Sequence, residues 1–262
     1  ADAKNYPWSE DSKILFGEVL IDDDTELPET LQYIEGTVYF TGREIKSDIA
    51  DRLIDVKQGK VVAEHIKYFK DPDYVHIAER LIEEGYIDVL AYNLYNFSDL
   101  NPSIADKIIE AGAGWNIPGC LLSFTDLNHP YIVDKLIDAG LGYVVVDSLE
   151  KYTGLDYAGV ADRLIEAGEG ESVANNLSKF TNLNSGVALH LIEAGKSNRV
   201  AANLNCFTKL TPIVAQLLIK NGYPDYVKQY LSSFDTLPED VHKEIEKQFE
   251  HRIDFPKTLL SK

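Results

Sequence analysis

The chain has 262 residues, 45% of them hydrophobic, and a formal net charge of −18 from 43 acidic and 25 basic residues. This is the composition of a globular protein with enough apolar residues for a continuous core. The acidity opposes a nucleic-acid-binding surface, which needs clustered Lys and Arg. No run approaches the ~18 apolar residues of a membrane span, so we expect a soluble protein without a membrane partner.

Residues 1–47 contain two segments rich in β-branched and aromatic residues, ILFGEVLI and YIEGTVYF, separated by the acidic stretch DDDTELPET. We interpret them as a small β-hairpin or strand pair, with the hairpin preferred, in an N-terminal capping segment. The stretch LPETLQYIEGTVYFTGREI also resembles the strand-turn pattern of some bacterial leucine-rich-type repeats. A cap is the preferred interpretation, because the terminal face of a repeat array must be covered.

From residue 48 onward the sequence repeats itself, with spacings of 28, 27, 28, 28, 27, 27 and 27 residues between equivalent positions. A fixed period of this length is typical of a solenoid, in which identical supersecondary units stack on one another. We therefore expect an array over residues 48–240. The branched residues that mark each unit are Ile49, Ile77, Ile104, Ile132, Val160, Val187, Val214 and Val241.

Each unit predicts a first helix of about ten residues, because apolar residues recur at helical spacing from the marker onward. Six units place a glycine eight residues after the marker, where a helix C-terminus requires a left-handed residue. The first unit has Lys57 there instead. The six glycines are Gly85, Gly112, Gly140, Gly168, Gly195 and Gly222.

A second helix of similar length is predicted from apolar residues thirteen and seventeen positions after the marker. Position twenty is always aromatic, and we interpret these rings as buried wedges between units. Asn101, Asn128, Asp156, Asn184 and Thr211 stand where an N-cap would begin the next first helix. The rings are Phe69, Phe97, Phe124, Tyr152, Phe180, Phe207 and Phe234.

Beyond residue 240 the repeat decays into a charged helix and a tail, which we interpret as a C-terminal cap over residues 241–262. The fold predicted is mainly α, an α-solenoid of about seven two-helix units with a small β-containing N-terminal cap. In architecture it resembles armadillo, HEAT and PUF arrays. The two cysteines, Cys120 and Cys206, are too few for a disulfide framework and are expected to be buried thiols.

Position sixteen, on the second helix, is polar in most units, and asparagine is a poor residue within a helix. Armadillo arrays carry an asparagine on the inner helix that binds the backbone of an extended peptide, and Asn93, Asn176 and Asn203 resemble that feature. The alternative is that each amide satisfies a loop carbonyl of the adjacent unit. The candidate partner-binding residues are His65, Tyr92, Asn93, Ser148, Asn175, Asn176, Lys179, Asn203 and Tyr230.

Catalytic signatures such as HExxH, CxxC, GxSxG and Walker A are absent, and the six histidines are scattered over different units. We therefore expect no catalytic residues, no metal site and no cofactor. The function predicted is a non-enzymatic scaffold that binds a protein or peptide on its second helices. The alternatives are an enzyme or nucleic-acid-handling module with its chemistry on the N-terminal segment or on a missing partner, and a structural spacer.

The first residue is Ala1, and we expect it to follow a processed or trimmed start. A cytoplasmic location is favoured, and a secreted one is the alternative if residue 1 follows a cleaved signal peptide. The oligomeric state is left open.

Overall fold

A computed structural model describes residues 14–29 and 31–253, with the backbone alone for residue 16 and residues 248–253. The tail predicted after the last helix lies outside the described residues. The fold is mainly α-helical, with a small parallel sheet near its N-terminus. None of the described helices is both long and apolar enough to cross a membrane. The chain divides into two compact units, unit 1 at Ala1–Lys135 and unit 2 at Leu136–Lys262.

Strands β1, Ile14–Ile21, and β2, Tyr33–Phe40, form a two-stranded parallel sheet in unit 1. The register pairs Ile14 with Tyr33 and Ile21 with Phe40. The predicted hairpin is therefore wrong. The connection over residues 22–32 is long enough for the chain to return to the same end of the sheet, which a parallel pair requires.

Two glycines face each other across this sheet, Gly17 and Gly36. A Cβ on Gly36 would lie 1.8 Å from the carbonyl oxygen of Gly17, so no larger residue fits there. Leu15, Val19 and Val38 are buried on one face of the sheet. Both segments could be predicted as strands because they are rich in β-branched and aromatic residues, which pack well on the face of a sheet.

The helices of unit 1 follow the sheet in chain order, and α6 contains the boundary between the two units. They are α1 at Asp48–Asp55, α2 at Gly59–His65, α3 at Tyr74–Glu83, α4 at Ile87–Asn93, α5 at Pro102–Glu110 and α6 at His129–Asp138. A 3₁₀ segment, Gly114–Gly119, stands between α5 and α6. The second helix predicted there is absent because Pro118 lacks an N–H and the segment is flanked by glycines.

Unit 2 continues with helices of two lengths. They are α7 at Gly142–Asp147, α8 at Tyr157–Leu164, α9 at Gly170–Asn175, α10 at Ser185–Glu193, α11 at Ser197–Ala202, α12 at Pro212–Lys220, α13 at Pro224–Gln229 and α14 at Glu239–Ile253. We call α1, α3, α5, α6, α8, α10 and α12 the first helices. The second helices are α2, α4, the segment Gly114–Gly119, α7, α9, α11 and α13.

The two kinds of helix form separate layers within each unit. In unit 1, α3 packs against α1 and α5, while α4 packs against α2 and the 3₁₀ segment. In unit 2, α8, α10, α12 and α14 pack in succession, and α7, α9, α11 and α13 do the same. Each layer therefore contains helices that are equivalent in the repeat.

The ends of the first helices agree with the sequence analysis. All six predicted glycine stops have positive φ, and Lys57 adopts the same left-handed conformation at φ 65°. Asn101 and Asn184 each accept a hydrogen bond from a backbone N–H of the first helical turn, as expected for N-caps. Asn128 and Asp156 do so as well. Thr211 does not, because its Oγ1 is buried without a hydrogen-bond partner among the described residues, while its backbone N–H donates to Ser185 Oγ.

The second helices are shorter than predicted, with only 6 or 7 residues in the six that are α-helical. Each then bends at one residue with φ between −107° and −128° and continues as a three-residue 3₁₀ turn. We call these the kink residues. They are His65, Asn93, Cys120, Ser148, Asn176, Asn203 and Tyr230, all at position sixteen of the repeat.

The aromatic residue after each 3₁₀ turn is buried in every case, with exposed fractions between 1% and 8%. The prediction of buried rings is thus confirmed. In unit 2, the ring of Phe180 meets that of Tyr157, the first residue of α8, at a centroid distance of 6.3 Å. Each ring therefore fills space at the end of a second helix and beside a first helix.

Isolated parallel bridges connect consecutive loops. The loop leucine three residues after one aromatic pairs with the next aromatic, as in Leu100 with Phe124, Leu183 with Phe207 and Leu210 with Phe234. At each bridge the leucine both donates and accepts a backbone hydrogen bond, with N to O distances of 2.8 to 3.0 Å. All three precede a marker spaced 27 residues from the one before it.

Two loops that are one residue longer lack this bridge within the described part of the chain. They precede α3 and α8, whose markers follow the 28-residue spacing. In the loop before α3, Pro72 takes the place of the leucine and has no N–H to donate. The added residue and the proline thus coincide with the loss of the backbone connection.

Candidate functional site

The nine residues predicted to bind a partner all lie on second helices or on the 3₁₀ turns that follow them. Three belong to unit 1 and six to unit 2: His65, Tyr92 and Asn93, then Ser148, Asn175, Asn176, Lys179, Asn203 and Tyr230. None of them lines either of the two pockets described below. The structure places them on one kind of surface without gathering them into one site.

The three asparagines at position sixteen bind their own helices. The Nδ2 atoms of Asn93, Asn176 and Asn203 donate to the carbonyl four residues earlier, at 2.8, 2.9 and 2.9 Å. At the kink, the backbone N–H groups of Asn176 and Asn203 turn to the carbonyl three residues earlier, at 3.1 Å in both cases. The side-chain amide thus satisfies a carbonyl that the kink releases from the helical pattern.

The alternative in which the amides satisfy a loop carbonyl of the adjacent repeat is therefore wrong, because each amide bonds to a carbonyl of its own helix. This bond also weakens the resemblance to the armadillo asparagine, since one N–H of each amide is committed to its own helix. Asn93 is 9% exposed, whereas Asn176 and Asn203 are half-buried. His65 performs the same task, with Nδ1 3.0 Å from the carbonyl oxygen of Val61.

Two further candidates, Lys179 and Asn175, form hydrogen bonds within unit 2. Lys179 donates from Nζ to the carbonyls of Val146 and Asp147 at the C-terminus of α7, at 3.1 and 2.9 Å. A cation at this position satisfies carbonyls that a helix end leaves unpaired. Asn175 is exposed and donates to Glu171, whose pKa is lowered by hydrogen bonds from Lys196 and Asn175. Lys179 therefore stabilises the end of α7, whereas Asn175 stays a predicted contact residue for a partner.

Ser148 and Tyr230 are half-buried kink residues that directly follow α7 and α13, and neither lines a described pocket. His65 is held by aromatic neighbours as well, because its ring stacks on Phe40 of β2 at 5.0 Å and on Tyr68 at 5.9 Å. It therefore joins α2 to the sheet. A binding role for Ser148, Tyr230 and His65 stays a prediction.

Tyr92 has a different environment from the other candidates. Its side chain is 63% exposed, and its ring lies 4.5 Å from that of Trp115 in an edge-to-face arrangement. Tyr95 is 68% exposed and Leu122 is fully exposed, in the 3₁₀ turns that follow the same two second helices. We call these four residues, Tyr92, Tyr95, Trp115 and Leu122, the apolar patch.

The sequence analysis missed Tyr95, Trp115 and Leu122, although a signal for two of them was present. Position eighteen is polar in five of the seven repeats and apolar only in the two that carry Tyr95 and Leu122. The polar residues are Lys67, Glu150, Ser178, Asn205 and Ser232. Comparing units with one another at solvent-facing positions would have separated these two from the shared core.

Large exposed hydrophobic residues are unevenly distributed over the described helical region. Six of eight lie on second helices or their 3₁₀ turns: Tyr92, Tyr95, Leu122, Tyr143, Tyr226 and Leu231. The other two, Tyr131 and Ile213, lie on first helices. Large exposed apolar residues are more informative when they cluster on one surface than when they are scattered.

The first helices instead carry ion pairs that connect one helix to the next. In unit 1, Arg80 pairs with Asp51 at 3.1 Å and Asp55 at 2.7 Å, and Lys107 pairs with Glu79 at 3.2 Å. In unit 2, His190 lies 3.2 Å from Asp162. The exposed sides of the first helices thus carry paired charges of opposite sign.

Two open pockets lie outside these surfaces. One, of about 660 Å³, is formed by α12 and α14, and the other, of about 500 Å³, lies where Pro72 interrupts the bridges between loops. Within the described residues, no group of three His, Cys, Asp or Glu side chains could hold a metal ion. Both cysteines are buried and outside any disulfide, as expected, and burial raises the pKa of Cys206.

Comparison with known proteins does not identify a family. No protein-family model matches the chain, and no curated protein matches it. Among solved structures, it is similar to the crystal structure of an engineered protein from the Northeast Structural Genomics Consortium, at 14% identity and a TM-score of 0.32. The match covers 80% of this chain and 71% of that one. A likeness at this TM-score supports no statement about the fold or the function.

Proposed function

We propose that the chain is an α-solenoid of seven two-helix units. The separate packing of first and second helices in each unit supports this architecture, as do the buried ring at the same position of every repeat and the bridges between consecutive loops. A solenoid gains its stability from contacts between neighbouring units, which is where these features lie.

We further propose that the protein is a non-enzymatic scaffold that binds a protein or peptide on its second helices. The observation that carries this proposal is the unequal distribution of exposed hydrophobic residues, six of eight of which lie on the second helices and their 3₁₀ turns. The interfaces of protein complexes are enriched in Tyr and Trp. The first helices present paired charges instead, which contribute little to binding when exposed.

A structural spacer would not require exposed rings on one set of helices, and the net charge of −18 opposes binding to nucleic acid. No specific observation favours an enzyme over a scaffold. Protein binding is therefore the single function proposed.

Site-specific photo-crosslinking in a lysate of the source organism tests this proposal. Benzoylphenylalanine would replace Tyr92 or Asn175 on second helices, and Glu83 or Glu193 at exposed positions of first helices as matched controls. We expect discrete adducts, identified by mass spectrometry, from the second-helix positions only. Adducts from the first-helix positions alone, or from none of the four, would reject the proposal.

A further inference from the structure

The apolar patch spans two neighbouring repeats of unit 1. Ser123 Oγ donates to the carbonyl of Leu94 at 2.8 Å, which holds the 3₁₀ turn containing Leu122 against the turn containing Tyr95. Tyr92 precedes Tyr95 by one helical turn and contacts Trp115 of the adjacent 3₁₀ segment. The four side chains thus belong to one surface.

The solvent-facing members of this patch are not required by the folded core. Leu122 is fully exposed, and Tyr92 and Tyr95 are 63% and 68% exposed, so little of their apolar area is removed from water. Five other repeats place polar residues at the position of Tyr95 and Leu122 without loss of the 3₁₀ turn. An exposed apolar cluster that the fold does not need is a mark of an interaction site.

The charges beside the patch on the two repeats that carry it are acidic. Between residues 86 and 127 the only cation is Lys107, which lies on α5 and pairs with Glu79. Asp88 stands one turn before Tyr92 on α4, while Asp99 and Asp126 each follow a patch residue by four positions in the loops. All three aspartates are exposed, so these two repeats present an acidic surface that would attract a basic partner. The preceding repeat, whose helix α2 packs against α4, carries the exposed Lys60 and Lys67.

The size of the patch argues against a second copy of the chain. Aromatic side chains bury roughly 150 to 250 Å² each, so three rings and a leucine, partly covered already, offer on the order of 400 to 500 Å². A stable protein interface buries about 800 Å² per partner. A second copy would also bring a net charge of −18 to the same surface. A short segment of a different protein fits both the area and the charge.

We propose that the apolar patch binds a basic amphipathic helix of a partner protein. The apolar side of that helix would contact Tyr92, Tyr95, Trp115 and Leu122, and its Lys or Arg residues would pair with Asp88, Asp99 and Asp126. A helix suits the site better than an extended peptide, because the kink amide of Asn93 is buried and bonded to Val89. This inference rests on the proposed function and narrows it to one surface and one class of partner.

Synthetic peptides of about 18 residues, or five helical turns, serve as probes. The first is a Leu/Lys peptide with all leucines on one helical face, the second has the same composition in an order that scatters them, and the third replaces Lys with Glu. Fluorescence anisotropy at 0.15 M NaCl measures binding. We expect the protein to bind the first peptide at least about tenfold more tightly than the others, because only that peptide combines an apolar face with positive charge.

Variants locate the site. Leu122→Lys should weaken binding of the first peptide by about tenfold or more, since it removes an apolar contact and adds a like charge. Tyr95→Lys serves as a second variant if Leu122→Lys alters the thermal melt. Ile213→Lys, on α12, is the matched control, because Ile213 is 56% exposed and the charge change is the same. Asp88→Asn together with Asp99→Asn should reduce the salt dependence of binding.

The inference is overturned if the scattered peptide binds as well as the amphipathic one, if Leu122→Lys and Ile213→Lys have equal effects, or if none of the peptides binds. Crosslinks from position 175 combined with any of these results would leave the proposed function standing and reject this site alone. Absence of crosslinks from every second-helix position would instead reject the proposed function itself.

Discussion

The first and second helices come from the same repeat and yet form different surfaces. The first helices end at a left-handed residue, carry ion pairs between neighbours and leave only Tyr131 and Ile213 as large exposed hydrophobics. The second helices are short and bend at position sixteen. Together with their 3₁₀ turns they carry six of the eight large exposed hydrophobic residues of the described helical region. Both kinds bury a regular core, so beyond their length and the kink they differ in the residues at their outward positions.

This difference shows that a repeat sequence constrains its faces separately. Core positions must match between repeats, because each repeat packs on its neighbours. Outward positions on the first helices are matched in charge, whereas those on the second helices vary from Tyr92 to Asp147 and Asn175 at the same repeat position. A surface that varies beside a fixed core is free to acquire binding residues.

The buried ring of Phe180 connects the two layers and should give the largest effect. Phe180 is 1% exposed, so Phe180→Ala is expected to reduce the free energy of unfolding by about 3 to 5 kcal/mol. Urea denaturation followed by circular dichroism measures the change. Leu122→Ala is the control, since a fully exposed side chain should change stability by no more than about 0.5 kcal/mol. A loss below 1 kcal/mol for Phe180→Ala would contradict a buried wedge.

The kink of the second helices is tested at Asn93. Asn93→Ala leaves the carbonyl of Val89 without its side-chain donor in a buried position, at an expected cost of about 1 to 3 kcal/mol. Asn175→Ala, at an exposed position of α9, should cost no more than about 0.5 kcal/mol. Equal losses for the two variants would mean that the bond to Val89 does not support the kink. The same denaturation experiment compares them.

The left-handed residue that separates a first helix from the second helix after it is tested at Gly140. Its φ is +74°, and an added Cβ would meet no atom within 4 Å, so Gly140→Ala introduces backbone strain without a clash. We expect a loss of about 1 kcal/mol. The reverse change, Lys57→Gly, should raise the melting temperature, because Lys57 has the same left-handed conformation. A melting temperature that falls for Lys57→Gly would show that its pairing with Glu84 outweighs the strain.

The ion pairs of the first helices should give the smallest effect. Lys107 and Glu79 are 41% and 40% exposed, so Lys107→Gln is expected to cost less than about 0.5 kcal/mol. The difference from the unmodified protein should vanish in 1 M NaCl, where the screening length falls to about 3 Å. A loss above 1 kcal/mol that persists in salt would place this pair among the structural contacts and remove the contrast between the layers.

Features determined by neighbouring residues were predictable from the sequence. The glycine stops, the N-caps at Asn101 and Asn184 and the burial of the rings follow from local chemistry repeated many times, and the structure confirms them. Thr211 does not cap α12, since its Oγ1 is buried without a hydrogen-bond partner in the described part of the chain and only its backbone N–H bonds, to Ser185 Oγ of α10. Local rules gave no indication of this burial.

Features that depend on contacts between distant residues were not predictable in the same way. Strand propensity does not distinguish a hairpin from a parallel pair, since the direction depends on the path over residues 22–32. The role of position sixteen was missed because a helical period does not reveal where a helix bends. The apolar patch was missed because exposure is a property of the assembled surface, and only Tyr92 of its four residues was selected.

The loop bridges give the array two kinds of joint. Where Leu100, Leu183 or Leu210 is paired on both sides of its peptide, neighbouring loops are fastened by backbone hydrogen bonds that resist shear. Before α3 and α8 that bridge is missing within the described residues, and side-chain contacts such as the ion pair of Arg80 with Asp51 connect the neighbouring repeats instead. We therefore expect the loops before α3 and α8, each one residue longer, to resist shear less than the bridged loops.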